Sequence, residues 1–551
     1  MKYFYLFLSI LIFGCAGQRP PTGGPDDTTP PEIISCFPEK LSTNVTTDEI
    51  HIEFSEYIDR RSVEESIFFS PAIKDFEFDW NDTELKIKIL EPLLKDVTYV
   101  LTIGTDVVDL NNRNRMAKSF TLAFSTGKNI DYGIINGKIF DEKPDGVMIY
   151  AFKNPNVNLD TISVLKHFPH FITQSGNDGT FELSNLGVGN YRLFAVKDEY
   201  RNLLFDIESD RVGFPQSDFK ITKVDSIVNS VSFKIAKIDT AKPRLIELNV
   251  IDDSHLKLIF NEDCDSLSLI SGKYILSDSL LKNQKSIEKI NIGKNYKELF
   301  LVLNERLTEG EHNLSLTGQK DLFGNHIHPL AREIKFISTN AKDTTSPEIV
   351  ETNLTDYAQF ENLSKIYFNY DDVVKINNNA FKLFMSDSIE IKYDLQIKNL
   401  SRVEITPKEF AIGSDYTLKI FPREISDGSR NSSKDSLKIF KFKIIDEDRF
   451  GSLKGIFINV KSMSGNVIVK MENISSKEFN YKTIVNDQNE FIFPRVMEGE
   501  YKISFFEDKN INGNWDDGNL NPFNFSEKYS EHSQIIKIRA RWPLEGLILK
   551  Y

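Results

Sequence analysis

Cysteine is nearly missing from this chain: 551 residues contain three, Cys15, Cys36 and Cys264. Cys15 ends the apolar N-terminal run and the other two fall in separate parts of the sequence, which argues against a structural disulfide and excludes a zinc site built on paired cysteines. Basic residues are also in deficit. Lys and Arg number 67 against 81 Asp and Glu, a net charge of −14, and a chain this acidic does not fit nucleic acid, whose phosphates demand basic patches. Beyond the first fifteen residues no apolar stretch is long enough to cross a membrane. Sustained helical periodicity is scarce, Arg61 to Ile67 offering one helical turn at most. Catalytic signatures are missing as well. There is no G-x-S-x-G elbow, no H-E-x-x-H and no glycine-rich phosphate loop ahead of a helix, so no stretch announces a reaction.

The first positive signal is "MKYFYLFLSILIFG", with Lys2 followed by an apolar run ending at Cys15. This is the layout of a secretory signal, too short to remain as a spanning helix. The run Ile12-Phe13-Gly14-Cys15 resembles the lipobox of bacterial lipoproteins, with Phe13 departing from the small or aliphatic residue usual there. The resemblance implies lipidation of Cys15, removal of residues 1–14 and stable anchoring by three acyl chains. A tether, 15–31, follows. Its "AGQRPPTGGPDDTTPP" has no apolar periodicity and reads as a solvated leash. Ala16-Gly17 lacks the aspartate of one inner-membrane retention signal, which favours the outer membrane of a Gram-negative bacterium.

Repetition organises the rest. "DDTTPPEIISCFP" from Asp26 returns as "KDTTSPEIVETNL" from Lys342 and, worn, as "IDTAKPRLIELNV" from Ile238. After each comes an alternating run closing on acidic residues: "IHIEFSEYID" from Ile50, "LKLIFNEDCD" from Leu256, "KIYFNYDDVV" from Lys365. Each unit then ends with a strand, an Asn/Gly/Asp-rich connection and a final strand. These are three copies of an A module. Between and after them a B module occurs twice, "GIINGKIFDEKPDGVMIYAFKN" from Gly133 matching "GSLKGIFINVKSMSGNVIVKMEN" from Gly451. The order is A-B-A-A-B, over 32–127, 128–237, 238–341, 342–447 and 448–551. Short alternating strands rich in Val, Ile, Phe, Tyr and Thr predict an all-β chain of five sandwiches in tandem, with 42 phenylalanines to fill their cores.

The A modules, with "PPEI…IHIEFSEYID" and "VVDLNNRNRMAKSFTLAFST", resemble the bacterial Ig-like domain found in surface-layer proteins; in the third copy Tyr370 is placed opposite Glu56 of the first. The B modules, with "NDGTFELSNLGVGNYRLFAV", resemble the prealbumin-like, carboxypeptidase-regulatory fold. The whole is similar to envelope Ig-like lipoproteins of Gram-negative bacteria, and what this implies is architecture, since such folds host unrelated roles.

The strongest candidate site is "DKNINGNWDDGN" from Asp508. Asp508, Asn510 and Asn512 alternate as oxygen donors, Gly513 permits a sharp turn, Asn514 offers a carbonyl and Asp516 falls ninth, so the loop resembles the start of an EF-hand calcium loop. Asn519 replaces its twelfth-position glutamate, and the competing reading is a polar turn. In the first B module the equivalent loop puts Tyr200 and Leu203 at the third and sixth positions, which predicts loss of that geometry. Trp515, Phe523 and Phe525 are candidate contacts for a glycan or a partner protein, although Trp515 could equally plug its own domain. His326 and His328 lack a third ligand and read as a loop pair. The carboxylate pairs Glu53 and Glu56, and Asp371 and Asp372, read as solvated charge at strand ends. The expected role is a non-catalytic, lipid-anchored envelope scaffold, spacer or adhesive arm, five units in line reaching well over about 100 Å. The alternative is a glycan-binding lipoprotein of an outer-membrane polysaccharide-uptake system. No cofactor is required beyond the candidate calcium.

Overall fold

The computed structural model describes residues 27–154, 162–278, 284–292, 296–338, 341–458, 464–520 and 522–551. The predicted signal, Cys15 and most of the tether lie outside the described residues. No described helix is long and apolar enough to cross a membrane.

The chain is a tandem array of β-sandwiches. In the first A module a sheet of four strands, Ile33–Phe37, Glu49–Phe54, Glu84–Ile89 and Phe76–Asn81 in spatial order, faces a sheet of Ile67–Ser70, Thr98–Ile103 and Phe120–Ser125. The alternation that predicted these strands also fills the core. Ile50, Ile52 and Phe54 point inward and meet Leu85, Ile87 and Leu101, while His51 and Glu53 point away, as the two-residue period of a strand dictates. The other A modules repeat this plan, with Leu245–Val250, His255–Phe260 and Glu298–Leu303 in the second and Ile349–Thr352, Ile366–Tyr370 and Arg402–Pro407 in the third. A helical turn does form in the first module, over Arg60–Glu64, and its counterpart in the second is Ser266–Ser271.

Register corrects the alignment of the third copy. Ile33 pairs with Phe54, Leu245 with Phe260 and Ile349 with Tyr370. Tyr370 therefore matches Phe54, and the residue matching Glu56 is Asp372. The same step places Glu262 in that position in the second copy.

Each B module has a central strand flanked by one antiparallel and one parallel neighbour. Gly133–Phe140 lies between Thr180–Leu186 and Ile227–Lys234, and Phe450–Phe457 lies between Glu490–Met497 and Pro543–Leu549. The glycines Gly137 and Gly455 match: a Cβ on either would collide with the ring of Phe181 or Phe491 and with a carbonyl of the parallel strand.

The modules do not run in line, which corrects the expectation of an extended arm. The last B module returns to dock on the first B module, so the first B, second A, third A and last B modules close a circuit. Phe140, Ile468, Phe506 and Tyr529 form a buried cluster across that contact, and Leu520 and Phe523 pack against the outer core of the first B module. The first A module is fixed to the first B module by polar contacts. Thr105 Oγ1 donates to the Ser175 carbonyl at 3.1 Å, Gln174 Nε2 to Asp106 Oδ2 at 2.9 Å, and Arg115 pairs with Asp145 at 2.8 Å.

Candidate functional site

The loop after Gly499–Asp508 meets the first B module through the residues singled out from sequence. Phe523 sits 6.1 Å from the ring of Phe194 and 6.5 Å from that of Phe214. The Arg192 guanidinium lies over Phe523 at 4.2 Å and over Phe525 at 5.2 Å; being 2 % exposed and held by Asp218, it is a desolvated cation of the kind that gains most from a ring face. Ser526 completes the contact, donating from Oγ to the Phe214 carbonyl at 2.7 Å and from its amide to the Pro215 carbonyl at 3.0 Å. Trp515 donates from Nε1 to the Glu527 carbonyl at 3.0 Å and packs on Tyr529 under Lys234 of the first B module. Trp515 and Phe523, offered as ligand contacts, are thus half-buried against the chain itself, and Phe525 keeps an exposed edge.

The calcium-like loop closes on its own groups. Asp508, 1 % exposed, accepts from the amides of Asn512 and Gly513 at 3.1 and 2.9 Å. The Asn510 and Asn512 side chains both donate to Asp516, at 2.6 and 3.1 Å, and their oxygens accept from the amides of Asn512 and Asn514. A residue outside the motif joins them: Glu527 accepts from the Lys509 and Asp516 amides at 2.6 and 3.2 Å, and burial pushes its carboxyl up. The loop in the first B module keeps this turn, against expectation. Asp198 accepts from the amides of Asn202 and Leu203, and Asn202 donates to Asp206 at 2.7 Å. Leu203 takes a φ of 62° where Gly513 has 76°, so the turn imposes the left-handed conformation and the missing glycine does not abolish it. Replacing Asp508 with Ala strands two backbone donors, and a loss of about 2 kcal/mol or more is expected. Calorimetric unfolding should show the same loss in calcium and in chelator.

A second constellation recurs in every A module and escaped the sequence reading. The aspartate of the opening phrase, Asp27, Asp239 or Asp343, uses Oδ1 to accept the amide two residues on, at 2.9, 2.8 and 3.1 Å. Its carbonyl accepts from the side chain of a late-loop asparagine, Asn114, Asn325 or Asn431, at 2.9, 3.0 and 3.2 Å. That asparagine in turn donates its amide to a buried loop aspartate, Asp109, Asp321 or Asp427. The repeated phrase thus latches each module's incoming chain to its late loop, and the carboxylate two residues past the paired strand end, Glu56, Glu262 or Asp372, completes a triad. In the second and third modules the three carboxylates bring oxygens within 4.8 Å of one another. Two unit charges at that separation repel by on the order of 3 kcal/mol at an effective dielectric of about 20. Burial pushes Glu56, Glu262 and Asp427 up, and the neighbouring carboxylates of each triad add to it.

The reading of Asp371 and Asp372 as solvated charge fails. Asp372 is 8 % exposed, and burial raises Asp371 to about 6 while its carboxylate accepts the Glu348 amide at 2.8 Å. His255 of the second A module bridges to this region, with Nδ1 2.8 Å from Asp252 and Nε2 3.0 Å from Asp372 of the third. Burial works against its charge, yet the hydrogen bond to Asp252 and the close carboxylates of Asp372 and Asp252 prevail and hold its pKa at about 10. His328 caps a turn, accepting from the Leu330 amide at 3.2 Å.

Residues 27–126 match the family model of the bacterial Ig-like domain, in agreement with the sandwich and register of the first A module. No curated protein matches the chain. Among solved structures, the N-terminal part of the bacterial S-layer protein SbsC is similar at 10 % identity and a TM-score of 0.17, over 37 % of this chain and 45 % of that one. The chain therefore spans less than half of that relative. An L,D-transpeptidase from Mycobacterium smegmatis is similar at 12 % identity and a TM-score of 0.15, over 37 % and 90 %. The major pilin subunit BcpA of Bacillus cereus is similar at 10 % identity and a TM-score of 0.13, over 77 % and 99 %. Scores this low carry no argument about arrangement or role.

Proposed function

We propose that this chain is a lipid-anchored, non-catalytic scaffold of the bacterial cell envelope, tethered through Cys15 and folded back into a closed circuit of modules. The docking of the last B module on the first carries the reading. A flexible arm gains nothing from burying Phe523 against Phe194 and Phe214, whereas a scaffold that presents surfaces at fixed separations requires such a joint. The bacterial Ig-like match over residues 27–126 and the signal-like N-terminus support an envelope location, with the outer membrane of a Gram-negative cell as the anchoring leaflet. The partner is another envelope protein. A glycan would have to bind without the Trp515 and Phe523 faces.

Labelling cells with an alkyne fatty acid tests the anchor. The wild-type chain should carry label and sediment with membranes, and Cys15→Ser should lose both. A Cys15→Ser chain that still sediments with membranes would refute the reading.

A further inference from the structure

We infer that Asp343, Asp372 and Asp427 form a binding site for a hard divalent cation of the calcium type where the second and third A modules meet. The three carboxylates come from separate segments: the opening phrase of the third module, the end of its Ile366–Tyr370 strand and its late loop. All three are buried, at 8, 8 and 0 % exposure, with oxygens within 4.8 Å of one another.

An independent observation points to a ligand. Asp343 Oδ1 accepts from the amide and hydroxyl of Thr345, but Asp343 Oδ2 is buried and accepts no hydrogen bond from the described residues. A buried carboxylate oxygen with no donor is costly, and a cation shared with Asp372 and Asp427 supplies what it lacks. The donor set is oxygen throughout. Such a set suits a hard cation, and the larger, more flexible calcium shell tolerates a site assembled from three segments better than the strict magnesium octahedron does. His255 of the second module lies 3.0 Å from Asp372 and within 4.8 Å of an Asp343 oxygen, so its imidazolium and a bound cation compete for these carboxylates. The matching triad of the second module, Asp239, Glu262 and Asp321, is less buried, with only Asp321 fully so, and each of its oxygens lacks the buried, unpartnered character of Asp343 Oδ2. This inference is independent of the anchor and of the Asp508 loop.

The test is calorimetric titration of calcium, with magnesium as a parallel arm, into the full chain after removal of ions with EDTA. Thermal unfolding with and without calcium accompanies it. Saturable calcium binding and a rise in unfolding temperature are expected. Asp343→Asn and Asp427→Asn should each abolish the tightest binding step, whereas Asp508→Ala should leave it intact. The sign of the stability change separates a cation site from a structural hydrogen-bond cluster. In EDTA, Asp343→Asn should unfold at or above the wild-type temperature because a like charge is removed, and in calcium it should unfold below it. A wild-type chain that takes up no calcium at millimolar concentration overturns the inference. So does a tight step that survives in both the Asp343→Asn and Asp427→Asn chains.

Discussion

Phe523→Asp should convert the closed circuit into an open chain. In solution scattering, the maximum dimension of the full chain should grow by on the order of 30 Å, about the width of one released module of a hundred residues, whose radius of gyration is about 13 Å. The reason is local. The new carboxylate would sit between Phe194 and Phe214 and beside Arg192, which already holds Asp218 through two donors at 2.7 and 2.8 Å. An added charge there loses the ring that Arg192 stacks on and is desolvated at a cost of several kcal/mol. The Ser526 bonds, the cluster of Phe140, Ile468, Phe506 and Tyr529, Leu520 and the Lys234 contact with Trp515 then hold the modules against that buried charge. Phe523 belongs to a two-residue strand, Phe523–Asn524, paired with Asn519–Leu520 outside the main sheets of the last sandwich, so far-ultraviolet circular dichroism should stay close to the wild type. A scattering curve unchanged by the substitution would mean that the circuit does not depend on this contact.

The order of the modules was legible in the sequence because a β-sandwich writes its core as a two-residue alternation and marks its turns with Gly, Asn and Asp. The Ile50, Ile52 and Phe54 stripe needed no structure to be seen. The registry of the third copy was not legible. "FNYDD" admits two alignments, and only the pairing of Ile349 with Tyr370 assigns Asp372 to the position of Glu56. The docking of the two B modules was invisible for a different reason: Phe214 and Ser526 sit in irregular segments and Phe523 in a strand of two residues, too short to show a period, and the contacts span some three hundred residues of sequence. The carboxylate triads were half legible. Asp27, Asp239 and Asp343 recur in the opening phrase, and Asp109, Asp321 and Asp427 recur in the late loop. What sequence could not supply is that these segments meet, so a strand-end acid such as Asp372 reads as solvated until the fold buries it.

His255 tests whether that meeting of charges holds two modules together. Replacing it with Ala leaves Asp252 and Asp372 facing one another with their shared cation gone. Removing one partner of a buried ion pair costs about 3–5 kcal/mol. His255 is 12 % exposed and Asp252 4 %, so a loss near the lower end, about 3 kcal/mol, is expected in urea unfolding of the full chain in the absence of divalent cations. Lost packing alone would make the effect indifferent to Asp372. Lost charge compensation makes it depend on Asp372, and the double variant His255→Ala/Asp372→Asn should then recover a large part of the loss, since neutralising the orphaned carboxylate removes the penalty the single variant creates. Calcium supplies a second reading of the same contact. A cation at Asp343, Asp372 and Asp427 shares Asp372 with the imidazolium, so His255→Ala should bind calcium more tightly than the wild type while unfolding more easily without it. Additive losses in the double variant, together with unchanged calcium affinity, would show that His255 contributes only by filling space at the junction.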